Sequence, residues 1–60
     1  MNEHEKRVMW SALKMLYDNC YDEIHEKEGI PGEAAAVRDD QETIEHCINL
    51  QKRFDLDPLE

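Results

Sequence analysis

The chain has 60 residues, of which fifteen are Asp or Glu and seven Lys or Arg, for a formal net charge of −8. That length caps it at one domain, and a domain this small is marginal unless disulfides, a metal or a second chain help. The acidity disfavours direct contact with nucleic-acid phosphates or anionic membrane surfaces, and no apolar run approaches the roughly 18 residues of a membrane span.

The first predicted element is a helix from about Glu3 to Glu28. Asn2 suits the N-cap, Glu5 three residues later completes a capping box, and Glu3 and Glu5 suit the positive end of the helix dipole. Gly29 reads as the left-handed residue that ends the helix. Ile30 stands where a Schellman motif wants an apolar residue, so it is expected to fold back on Ile24, and Pro31 blocks continuation.

A turn over residues 29–32 leads to a second helix, about Glu33 to Phe54. Glu33 in its first turn and Lys52 and Arg53 in its last match the dipole, and Ala34, Ala35 and Ala36 are strong helix formers. Asp39 with Glu42 offers a competing capping box, which would start the helix near Asp40. One continuous helix is preferred because Val37 stays in phase with Ile44. The tail, Asp55 to Pro58, is expected to fray. Leu59-Glu60 has the look of a scar left at a C-terminal tag junction and is set aside. No alternating β-branched run and no internal repeat competes with this reading.

Placing residues at about 100° per position gives the faces. On helix 1, Met9, Trp10, Leu13, Leu16, Tyr17, Cys20, Tyr21 and Ile24 share a broad arc, while Val8, Ala12 and Met15 lie toward the other side. The middle of helix 1 is thus apolar nearly all round and wants more than one neighbour. Helix 2 is plainly amphipathic, with Ala36, Val37, Thr43, Ile44, Cys47, Ile48, Leu50 and Phe54 on one face. Asp40 and Gln51 fall inside that apolar arc and are expected at edges or near solvent, the alternative being that Gln51 fixes register in a bundle. The short turn makes the helices antiparallel neighbours.

The expected fold is therefore all-α: a two-helix antiparallel hairpin. Two helices enclose little, so the hairpin is expected to dimerise into a four-helix bundle, with a hetero-complex as the other solution. The expected interface comprises Met9, Trp10, Leu13, Leu16, Tyr17, Cys20, Tyr21 and Ile24 with Ile44, Cys47, Ile48 and Phe54. Trp10, Tyr17 and Tyr21 form an aromatic edge suited to contact between chains.

Chemistry is sparse. With no leader in view, the expected compartment is the cytoplasm, where Cys20 and Cys47 stay reduced as small apolar core residues. Pairing Ile24 with Val37 offsets the two by about 9 Å along the hairpin, too far for a bridge. Asp22 and His25 have the Glu-x-x-His spacing of di-iron bundles, and Glu42 and His46 stand one turn apart, but all four lie on polar faces. Paired Cys-x-x-Cys motifs are absent, so no metal is expected. His46 and Cys47 point about 100° apart and form no dyad, while Gly29 and Gly32 serve the turn rather than a phosphate loop. No cofactor, catalysis or small-molecule substrate is expected.

What remains is a small acidic interaction or regulatory protein, of a size that suits a bacterial or phage accessory protein, acting on itself or another protein. The alternative is an acidic decoy that presents carboxylates in place of phosphates to a basic nucleic-acid-binding protein. The interspersed Lys6, Arg7, Lys14, Lys27, Arg38, Lys52 and Arg53 weigh against it.

Overall fold

The computed structural model describes all residues from Met1 to Glu60 and consists of two helices, α1 (Glu3–Lys27) and α2 (Ala34–Arg53), with no strand. They form a hairpin whose principal extents are 44 × 15 × 14 Å. The long dimension follows from α1 itself: 25 residues at a rise of about 1.5 Å span roughly 37 Å.

The start of α1 is closed by the capping box. Asn2 Oδ1 accepts from the Glu5 amide at 2.8 Å, and Glu5 Oε1 accepts from the Asn2 amide at 3.3 Å. The end of α1 departs from the expected Schellman motif. Glu28 is extended (φ −60°, ψ 127°) and Gly29 has φ +82°. These are the central angles of a type II turn, which the Ile30 amide closes onto the Lys27 carbonyl at 3.1 Å. A second turn follows at once: the Glu33 amide reaches the Ile30 carbonyl at 3.2 Å, with Pro31 and Gly32 (φ +91°) between them. Ile30 therefore rides on the outside of two turns and is exposed, and does not fold back into the core as expected.

The helix α2 runs unbroken through Asp39 and Asp40. Glu33 is its N-cap without a side-chain hydrogen bond. The competing start at Asp39 is not used: the Asp39 carbonyl accepts the Thr43 hydroxyl at 2.9 Å, inside the helix.

The Schellman motif appears instead at the end of α2. Asp55 takes a left-handed conformation (φ +53°). Its amide bonds the Lys52 carbonyl at 3.3 Å, and the Leu56 amide reaches back to the Gln51 carbonyl at 2.9 Å, the two bonds that define the motif. The chain is thereby turned back along the hairpin. Leu56 and Leu59 enter the core beside Leu13, Tyr17 and Cys20 of α1 and Ile44 and Cys47 of α2. The expected frayed tail is thus a third packing element. Its two leucines bury side chains that two helices alone leave uncovered, and Leu59, set aside from the sequence as a junction scar, is only 2% exposed. Met9, Trp10, Ile24, Ile48 and Phe54 pack around this core.

Candidate interaction surface

Four polar contacts fasten the tail. The Trp10 indole Nε1 donates to the Asp57 carbonyl at 3.0 Å, and Gln51 Nε2 donates to the Leu56 carbonyl at 2.6 Å. Lys14 Nζ donates to the Leu59 carbonyl at 2.5 Å, and the Tyr17 hydroxyl donates to Glu60 Oε1 at 3.4 Å. Lys14 also pairs with Asp18 at 3.1 Å and stands 5.4 Å from the centre of the Tyr17 ring. The tail therefore lies along the groove flanked by Trp10, Lys14 and Tyr17 on α1 and by Gln51 on α2. Gln51 and Asp40 are both half-buried. Gln51 spends its amide on holding the tail.

This arrangement divides α1 into three sides. Leu13, Tyr17 and Cys20, at i, i+4 and i+7, form its part of the shared core with α2. Trp10 and Lys14 face the tail. Val8, Ala12, Met15 and Leu16 face neither, and Val8, Met15 and Leu16 are 58%, 68% and 44% exposed. Ser11 and Asn19 extend this stripe without adding charge. By helical phase, Leu50 and Thr43 of α2 border the same open side, and Leu50 is also exposed. The tail closes one groove of the hairpin and leaves the other open.

The twelve residues expected at an interface thus divide. Leu13, Tyr17, Cys20, Ile44 and Cys47 are buried within the chain, and Met9, Trp10, Ile24, Ile48 and Phe54 are partly covered by it. Leu16 and Tyr21 keep substantial surface. The aromatic edge is split: Trp10 and Tyr17 are occupied by the tail, while Tyr21 stacks at a tilt on Tyr17, with ring centres 4.9 Å apart, and stays exposed. The residues that sequence reasoning left out were Val8, Ala12 and Met15. Their phase on the helical wheel was the signal: they sit where neither α2 nor its following segment can reach.

The interior titratable groups are built for packing. Burial raises both thiols, and the nearby Asp40 and Cys47 raise Cys20 further. Both cysteines are free. Burial, the Tyr21 hydroxyl and the Glu60 carboxylate push Tyr17 well above the usual phenol range. Asp40 Oδ2 is buried without a hydrogen-bond partner. The neighbouring Asp40 carboxylate, through hydrogen bonding and its charge, raises the exposed Glu23 carboxyl. On taking up a proton Glu23 becomes a donor to the Asp40 carboxylate, as when two carboxyls share a proton.

No three His, Cys, Asp or Glu side chains converge on a point that could hold an ion. His46 meets Glu42 at 3.8 Å on the solvent side of α2. No helix is long and apolar enough to cross a membrane.

No protein-family model, curated protein or solved structure matches this chain. The surface of the molecule is distinctive in one respect: it carries an uncharged apolar stripe on a small, highly charged chain.

Proposed function

We propose that the chain is a small acidic, non-catalytic interaction or regulatory protein that works as a homodimer, two hairpins joining their open sides into a four-helix bundle. The exposed stripe Val8, Ala12, Met15 and Leu16 carries this reading. It remains after α2 and the tail have covered the other sides of α1. Seven buried residues in the whole chain make a thin core, and a second copy adds to it by burying the same stripe on both partners. Twofold self-association is the commonest way to do so.

Light scattering after gel filtration, over a wide range of concentration, tests the reading. The expected mass is twice 7.1 kDa, and Leu16→Asp should return it to the single-chain value with helicity retained. Leu16 is half open in the protomer, so a charge there is solvated in the single chain and costly only when a second chain covers it. A parent chain of single mass at every concentration overturns the reading.

A second reading draws on the polarity of charge along the rod. Between Asp18 and Glu45 lie ten acidic residues and only Lys27 and Arg38 as basic ones, which makes the turn end an acidic tip. Such a tip suits a decoy for a basic nucleic-acid-binding protein. Binding of that kind weakens steeply with salt, and salt-insensitive binding would count against it.

A further inference from the structure

The charges on α1 are segregated, and this bears on how a second copy can approach. From Lys6 to Tyr17, α1 carries Lys6, Arg7 and Lys14 and no acidic residue, and by helical phase Arg7 is the one of the three that borders the exposed stripe. From Asp18 to Glu28 it carries five acids and Lys27. In a parallel pair of α1 helices each acidic segment would lie against its own copy. In an antiparallel pair crossing near the middle of the stripe, the start of the acidic segment of one copy lies beside Arg7 of the other.

Two details fit the antiparallel case. Arg7 and Asp18 are eleven positions apart, which places them within about 20° of each other on the helix. Both therefore border the same edge of the stripe, and a twofold axis perpendicular to the helix brings the same edges of the two copies together. Their midpoint along the axis falls next to Ala12, which with Ser11 is among the smallest side chains of the stripe, where two backbones approach most closely. Arg7 is exposed and makes no ion pair within the chain, while Asp18 is engaged only through Oδ1 with Lys14.

Resting on the homodimer reading above, we infer that the second copy docks antiparallel, α1 on α1, crossing at Ser11 and Ala12, with Arg7 of each protomer beside the partner's Asp18. Val8 then packs on the partner's Met15 at both ends of the crossing. The like-charged acidic tips point to opposite ends of the assembly, which keeps the repulsion between two strongly acidic chains small.

Cross-linking the intact chain distinguishes this geometry from dimerisation as such. Ala12 is exposed, so Ala12→Cys leaves the hairpin intact, as circular dichroism can verify. Under mild oxidation it should form a linked dimer whose 12–12 disulfide is identified by peptide mass, because residues on a twofold crossing come within bridging range. Glu45→Cys, on the solvent side of α2, should stay unlinked. In parallel, Arg7→Glu should weaken dimerisation roughly tenfold through its two symmetric contacts, and Arg7→Glu with Asp18→Arg should recover most of that loss. A dimer by light scattering that neither forms the 12–12 link nor shows the charge-swap recovery overturns the antiparallel crossing alone. A single-chain mass for the parent overturns both this inference and the homodimer reading.

Discussion

The indole of Trp10, in the second turn of α1, donates its hydrogen to the carbonyl of Asp57, 47 positions later in the chain, at 3.0 Å. The bond fixes the tail across the helix and satisfies the one polar group of a large apolar side chain. It also makes Trp10 a natural reporter of the tail.

Leu56→Ala should therefore loosen the tail and shift the Trp10 emission to the red. Leu56 is a buried member of the core, and truncation of such a leucine costs about 2–3 kcal/mol. For a chain of this size each kcal/mol lowers Tm by roughly 4–8 °C. An unchanged emission spectrum and Tm would show that the tail contributes nothing to stability. Trp10→Phe should cost less, about 1 kcal/mol, since it keeps most of the apolar contact and loses the hydrogen bond.

At Asp55 the backbone is left-handed, with φ +53°. That conformation carries a steric cost for any residue with a Cβ, moderated for Asp and absent for Gly. Asp55→Gly is expected to raise Tm by a few degrees, and Asp55→Val to lower it. Thermal melts followed by circular dichroism check both, and a stabilising Asp55→Val would contradict the Schellman geometry at this end of α2.

Asp40 keeps one carboxylate oxygen buried without a partner and faces the Glu23 carboxyl. Asp40→Asn removes the like charge and supplies a donor, so it should stabilise the hairpin at neutral pH. Because Glu23 is raised in the folded chain, ionising it works against folding. The gain from Asp40→Asn should therefore shrink as pH falls and Glu23 takes up its proton. Denaturant titrations at acidic and neutral pH measure the difference, and a gain that grew on acidification would argue against a shared proton.

Cys20, Cys47 and Tyr17 are all raised, first of all by burial. The folded chain holds these protons to higher pH than the unfolded chain does. Stability should thus fall as pH rises past the ordinary thiol value of 9.0, where the unfolded state ionises first, and fall further above the ordinary phenol value of 10.0. Replacing both cysteines by Ala should lower overall stability and flatten the alkaline limb that begins near the thiol value. An equally steep limb in that variant would assign the effect to other groups.

Several features were legible in the sequence for a local reason. The capping box needs only Asn2 and Glu5 three positions apart. The hairpin needs only two amphipathic segments and the Gly29-Ile30-Pro31-Gly32 break between them. Cys20 and Cys47 lie on apolar arcs and are buried. The end of α1 was half legible: Gly29 does take a positive φ, but the extended Glu28 before it makes a type II turn, because Pro31-Gly32 builds a second turn immediately after. Local signals at the two helix ends were similar, and the Schellman motif formed at Asp55, a residue with a weaker left-handed preference than glycine.

The sequence by itself determined the helices, their order and their apolar arcs, because helix periodicity and capping depend on residues within a few positions of one another. Only the tertiary structure decided which arc faces what. Leu56 has no periodic neighbours to mark it as core, and its burial depends on Asp55 turning the chain back and on Trp10, Lys14 and Gln51 offering donors to its path. That return covers the Trp10 and Tyr17 side of α1 and leaves Val8, Ala12, Met15 and Leu16 open. Which side of an all-round apolar helix stays free is set by contacts across the whole length of the chain, and no local pattern in α1 encodes it.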